Sequence, residues 1–383
     1  MWRRLVLALA ALSAGCMGTA DDGPAVRASQ SLTGIALLGD ADVAGFERAT
    51  APRRFEFPAD HGSHPTFRTE WWYFTGNLET VAGRRFGFEL TFFRVALAPQ
   101  VVDRASAWRT NQLWMAHLAL TDGAHGRFVA AQRLARGALG LAGAVGDPFH
   151  VWVDDWFATG HADARTATLR LTARDGGMGL DLELLGRKPV VLQGVQGLDA
   201  KGPEPGNASY YYSVPRLAVT GKVSIDGAES VVEGTAWMDR EWSTSALSKG
   251  VEGWDWLALQ LNDGSDLMFY RLRRTDGTVS PFSTGTIVAK DGTQESLAAR
   301  DVKLTPQRWW HSPTTGIDYP VGWELEIPSR QMRLVVSALI PNQEIDLTVR
   351  YWEGAVDAAG TGETGPLAGR GYLELAGYRD GAR

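Results

Sequence analysis

Residues 234–243 read GTAWMDREWS. In an extended strand, side chains alternate between the two faces. Thr235, Trp237, Asp239 and Glu241 therefore share one face, placing two carboxyls beside a tryptophan. Carboxyls crowded together and stripped of water hold their protons to higher pH. Asp239 is accordingly the candidate general acid and Glu241 the second candidate catalytic residue, because an acid active near neutral pH must keep its proton there. The alternative is electrostatic: Arg240 and Glu241 as surface partners, with Asp239 fixing a turn.

A second concentration of chemistry lies at residues 61–78, HGSHPTFRTEWWYFTGNL. Arg68, Glu70, Trp72, Phe74 and Leu78 fall on one face and Thr69, Trp71, Tyr73, Thr75 and Asn77 on the other. The first set is mostly apolar and is expected to point inward, with Trp72 and Phe74 as cavity wall. Glu70 then needs a cation, which Arg68 or Arg94 can supply as an ion pair at the barrel rim. His61 and His64 form H-x-x-H, but Gly62, Ser63 and Pro65 place them on an irregular loop. A hydrogen-bonding anchor fits that setting better than a metal site, which needs further ligands. A third run, Tyr210-Tyr211-Tyr212-Ser213, offers phenol hydroxyls that can orient a ligand or steady a carboxylate.

The elements that must carry these groups read as strands. Short alternating segments recur at Glu70–Leu78, Phe86–Arg94, Leu113–Leu120, Thr166–Leu171, Tyr210–Val214, Val231–Trp237, Trp254–Leu261 and Leu267–Leu272, separated by turn residues. This spacing favours an all-β sandwich or barrel over βαβ units. Turns of helix are expected only within Arg133–Leu141 and Thr293–Arg300. A weak duplication divides the chain: WWYFTGNL leads through a turn to Phe92-Phe93-Arg94, and WDWLALQL leads through Asn262-Asp263-Gly264 to Phe269-Tyr270-Arg271. Each looks like a hairpin opening a β domain, so two consecutive antiparallel barrels are expected, residues 52–248 and 249–380. Residues 360–365 match G-x-G-x-x-G, but Pro366 follows and no helical period does, so they read as a loop.

The totals agree with this picture. The chain has 383 residues, 15 Trp and 44 Gly. Such richness in tryptophan and in turn-forming glycine suits an all-β protein with a wide, aromatic-lined interior. The net charge of −6 leaves no basic footprint for nucleic acid. Arg3 and Arg4, then apolar residues 5–12, then Ser13-Ala14-Gly15-Cys16, read as an export signal over residues 1–20. Cys16 stands where a bacterial lipoprotein carries its lipid; cleavage after Ala20 is the alternative. Residues 21–51 read as a tether. The expected location is the periplasm or outer membrane, with membrane association through the acylated Cys16. No later apolar run reaches the length of about 18 residues expected of a membrane span.

The set HPTFRTEWWYFTGNL, YYYSVPRLAVTG, GTAWMDREWS, GWDWLALQL and GRGYLELAGY resembles the AttH-type, carotenoid 1,2-hydratase-related lipocalin-like family. The resemblance runs from residue 52 to residue 379 and implies two lipocalin-like β-barrels in tandem, the first carrying the hydratase-type region. Hydratases of that family add water across an isolated terminal double bond of an acyclic carotene without a cofactor. The resemblance therefore implies a hydrophobic, isoprenoid- or lipid-like ligand and no cofactor. Their acid–base group, a His-x-Trp on one strand and a Tyr-x-Asp on a later one, falls here on Tyr210 and Tyr212, then Trp237 and Asp239. Only Asp239 keeps the residue type. On this basis Tyr210, Tyr212, Trp237, Trp72, Phe74 and Glu70 are the expected ligand-binding residues. The competing expectation is a non-enzymatic carrier of an apolar ligand or an envelope interaction protein.

Overall fold

The computed structural model describes residues 32–33, 43–101, 105–245 and 247–379. The export segment with Cys16, and most of the tether, lie outside the described residues.

Alternation of apolar and polar residues, punctuated by glycine turns, folds the chain into two antiparallel sheets. A 13-stranded sheet is built from residues 69–243, and an 11-stranded sheet from residues 251–376 together with Leu32–Thr33. They curve into a barrel and a half-barrel, the double lipocalin-like arrangement. The topology repeats. Strand Thr69–Glu79 lies between its hairpin partner Arg85–Ala96 and the last long strand of its sheet, Ala228–Ser243. Strand Val251–Leu261 likewise lies between Asp266–Arg274 and the last strand, Gly365–Ala376. The two duplicated motifs are thus the opening hairpins of the two sheets. Residues 360–365 turn the hairpin between Val349–Gly362 and Gly365–Ala376.

Neither expected segment is an α-helix: residues 133–136 are strand and 137–141 are bends and turns, and residues 294–298 are strand. Residues 127–136 pair edge to edge with Gln112–Asp122. Gln294–Ala298 is also a strand, followed by a single 3-10 turn at Ala299–Asp301. Cross-strand pairing overrides the weak local preference in both places.

Burial separates two kinds of strand. Residues 167–174 alternate between buried and more exposed positions, because one face meets the barrel interior and the other meets water. Thr69–Glu79 is buried along almost its whole length. Its Trp72, Phe74 and Leu78 face pack into the first barrel with Phe88, Leu118 and Leu182. Its Tyr73 face packs outward with Tyr211, Trp237, Trp256, Tyr270 and Tyr372, residues of both sheets. The second barrel has its own interior, filled by Leu257, Phe269, Trp323, Trp352 and Leu373.

The expectation of a wide, aromatic-lined barrel interior is therefore corrected. The tryptophans that point into the first barrel fill it: Trp72 stacks on Trp114 with ring centres 5.6 Å apart. A further aromatic set, Tyr73, Tyr211, Trp237, Trp256, Tyr270 and Tyr372, collects between the barrels. The two sheets approach closely there. A Cβ added at Gly87 would lie 2.6 Å from the Ala355 Cβ across the interface, so glycine is needed at that point. Polar ties complete the join. Asn77 Nδ2 donates to the Gly371 carbonyl at 2.8 Å, and Lys188 and Arg216 both pair with Asp266, at 2.6 and 2.7 Å.

Candidate functional site

The outward faces of the two sheets enclose a cavity of about 120 Å³. From the first barrel its lining includes Trp71, Tyr73, Phe93, Tyr211, Asp239 and Glu241. From the second it includes Trp254, Trp256, Tyr270, Tyr351 and Glu374. Among the sequence-predicted residues, Asp239, Glu241 and Glu70 reach this lining.

Asp239 is buried and takes three donors. Ser213 Oγ and Trp237 Nε1 donate to Oδ1 at 2.5 and 2.6 Å, and the Tyr211 hydroxyl donates to Oδ2 at 2.5 Å. The donors are themselves oriented. Gln193 Nε2 donates to Ser213 Oγ at 2.9 Å, and Trp256 Nε1 donates to the Tyr211 hydroxyl at 3.1 Å. Burial pushes the Asp239 carboxyl up to about 7, against these stabilising hydrogen bonds, with a smaller contribution from Glu241. Of the two causes expected from the sequence, loss of water dominates and the Asp239–Glu241 repulsion is the lesser. Such a group holds a proton near neutral pH and has three donors ready for the anion it leaves behind.

Trp237 therefore acts on Asp239 by hydrogen bonding. Tyr210 and Tyr212 lie on the opposite face from the cavity, packed with Phe67 and Trp242. The residues facing Asp239 on the neighbouring strand are Tyr211 and Ser213, one position along. A one-residue difference moves every side chain to the other face of a strand. Trp72 and Phe74 similarly lie in the packed interior of the first barrel, while Trp71 and Tyr73 meet the cavity.

Glu241 is buried beside Lys201, whose Nζ lies 3.0 Å from it and 2.8 Å from Asp199. Burial raises the Glu241 carboxyl, and Lys201 opposes that rise. Arg240 does not partner Glu241 on a surface. It is fully buried, points the opposite way, stacks 3.8 Å over Trp72 and pairs with Glu70.

Glu70 is the centre of a separate cluster. Arg94 and Arg240 both bind its carboxylate, and the His64 backbone N–H donates to it at 3.0 Å. Burial alone would raise its pKa, but the two guanidiniums prevail and hold it well below the usual carboxylate range. Arg94, one of the two expected partners, is therefore joined by an arginine 170 positions downstream of Glu70. The histidines anchor the same region. His61 Nδ1 lies 2.6 Å from the Tyr212 hydroxyl, and His64 sits between Asp60 at 3.1 Å and Glu70 at 3.3 Å.

Sequence reasoning missed the acidic groups that the second barrel and the interface supply. Glu374 accepts from Trp254 Nε1 at 3.0 Å, and burial pushes its carboxyl up to about 8. Glu353 accepts from the Tyr73 hydroxyl at 2.6 Å, and burial raises it too. Glu89 accepts from Tyr351 at 3.2 Å and lies at about 7, again through burial. A carboxyl inside an otherwise apolar strand, as in YLELA and YWEGA, is the signal that could have found Glu374 and Glu353.

A family model described as AttH-like matches residues 48–378. A Nitrosomonas europaea protein described as AttH has 37% sequence identity and a TM-score of 0.75, covering 86% of this chain and 99% of its own. Kievitone hydratase from Nectria haematococca is similar in fold, at 15% identity and a TM-score of 0.64, covering 88% of this chain and 98% of its own. CghA is similar in fold at 14% identity and a TM-score of 0.54, covering 92% and 99%. No curated protein matches the chain. The near-complete family match and the Nitrosomonas structure agree with the motifs and the topology: this chain belongs to the AttH-like family.

Proposed function

We propose that this protein is exported and takes the end of an apolar, isoprenoid-like molecule into the inter-barrel cavity, where Asp239 protonates an isolated alkene. The observation that carries the reading is the placement of Asp239: buried, holding a proton to about pH 7, and facing aromatic walls from both barrels. Protonation of a trisubstituted alkene leaves a tertiary cation. The faces of Trp71, Tyr73, Trp254 and Trp256 suit that charge, because aromatic quadrupoles attract cations. Water then quenches the cation to a tertiary alcohol. The hydratase named among the structural neighbours lends its reaction class to this proposal by analogy of fold. Export and lipid attachment at Cys16 are part of the reading on the strength of residues 3–16 alone.

The test is incubation with lycopene in 18O-labelled water, followed by mass spectrometry. Labelled alcohol is expected from the wild-type protein. Asp239→Asn should lower the rate by about 10²–10⁴-fold, the usual contribution of an acid–base group, with lycopene binding retained. Full activity in Asp239→Asn removes that residue from the reaction. The apolar walls Phe93, Leu247, Leu272 and Val349 support a second reading, a carrier. Tight binding of lycopene with no chemical change over time would favour it.

A further inference from the structure

Glu374 enters the same cavity from the other barrel. On strand Gly365–Ala376 its cross-strand partner is Trp256, whose indole N–H donates to Tyr211, which in turn donates to Asp239. One step of strand register and two hydrogen bonds thus connect two carboxyls carried by different sheets. Their surroundings differ in a useful way. Asp239 takes three donors, whereas Glu374 takes the single indole N–H of Trp254 among the described residues. Asp239 is prepared for the anion left after a proton departs. Glu374 keeps an oxygen for water.

We propose that Glu374 is the second acid–base residue of this site, the group that receives the proton of the attacking water, so that acid and base are divided between the two barrels. The proposal rests on the reading of Asp239 given above. The alkene π pair forms a C–H bond with the Asp239 proton, leaving a carboxylate and a cationic carbon. The water oxygen forms the C–O bond, and one of its protons passes to the Glu374 carboxylate. The pair holds one proton before the reaction and one after it. Transfer back through cavity water resets it.

Several charged groups bear on Glu374. Asp239, Glu241 and Glu89 face it from the first barrel, and Glu353 is its cross-strand neighbour in its own sheet. Two cations line the same cavity: Lys201 is held by Asp199 and Glu241, and Arg94 by Glu70. Carboxyls in such company titrate as a coupled set, and the active form holds one proton between Asp239 and Glu374. Because Glu374 keeps its proton to higher pH than Asp239, the reactive arrangement, with the proton on Asp239, is the minor one-proton tautomer.

Two measurements test this. Infrared titration of the carboxyl C=O bands should show the Glu374 midpoint moving to lower pH in Asp239→Asn. An unmoved Glu374 midpoint overturns the coupling, and no substrate is needed to see it. In the lycopene assay, Glu374→Gln should lower turnover by about 10²–10⁴-fold, leave lycopene binding intact and remove one limb of the pH–rate profile. Wild-type turnover with both limbs present overturns the role of Glu374 while leaving that of Asp239 standing. Wild-type turnover in Asp239→Asn overturns the underlying reading instead. Should Glu374→Gln fail to fold, the infrared comparison on Asp239→Asn decides the matter.

Discussion

Glu70 and Glu374 are both carboxyls on strands near one cavity, yet their surroundings give them opposite properties. Glu70 sits among Arg94, Arg240 and His64, and its charge is stabilised. Glu374 is approached by a neutral indole and by other carboxyls, and its proton is retained. Asp239 resembles Glu374 in this respect, with three neutral donors and no guanidinium bound to it. The contrast shows that burial alone does not make a carboxyl reactive. At Glu70 two guanidiniums outweigh burial, whereas Glu241 stays raised although Lys201 lies beside it. The Glu70 cluster ties the loop of His61 and His64 to the first barrel, while the interface carboxyls are left able to exchange protons.

The contrast can be broken most severely at Arg240. Arg240→Met would leave Glu70 buried with one guanidinium fewer, and a loss of about 3–5 kcal/mol is expected in urea unfolding. The same substitution should leave the neutral-range titration of Asp239 in place, because Arg240 points to the opposite face.

The pH dependence of stability breaks the comparison from the other side. In the fold Asp239, Glu89 and Glu374 keep their protons to about 7, 7 and 8, whereas ordinary carboxyls lose them near 4. Between those limits these three carboxyls bind more protons in the fold than in the unfolded chain. They outnumber His61 and His117, which burial holds neutral down to about 4 and about 3 and which act in the reverse sense below about 6.5. Stability should therefore fall as pH rises from about 4 to about 8. Denaturant midpoints measured across that window check the sign, and Glu374→Gln combined with Asp239→Asn should flatten the slope. Glu70 behaves in the reverse sense. Its contribution is complete above the ordinary carboxylate range and is lost only as pH falls through its lowered value.

Tyr73→Phe tests a neutral donor. It removes the hydroxyl that serves Glu353 across the interface, and a cost of about 1–3 kcal/mol is expected in thermal or urea unfolding. The smallest effect is expected at the exposed cross-strand pair Arg170–Asp181. Replacing both by alanine should change stability by no more than about 1 kcal/mol, which sets the baseline against which the buried clusters are judged.

Much of this was legible in the residues. The strands around Trp72, Phe88, Leu118 and Leu257 announce themselves by apolar spacing, and the two opening hairpins by their shared pattern. Glu70 could be assigned a cation because a carboxyl on an apolar face must have one, and Asp239 could be singled out by its neighbours. The aromatic walls lie on the other side of the strand from the one the spacing predicts. Thr69–Glu79 and the second half of Ala228–Ser243 are buried on both faces, so apolar character no longer distinguishes inside from outside. For the same reason the motif points to Tyr210 and Tyr212, whereas Tyr211 and Ser213 face Asp239.

The sequence by itself determined the strands, their pairing into repeated hairpins, the family, and the presence of a carboxyl at position 239 with a tryptophan two residues before it. Those features depend on local alternation and on motifs that survive in one dimension. Only the tertiary structure decided that the cavity lies between the barrels, that Arg240 belongs to Glu70, and that Glu374 looks across at Asp239. Each of those depends on which face of a doubly buried strand meets which neighbour, and that is settled by packing two sheets together rather than by the order of residues along either one.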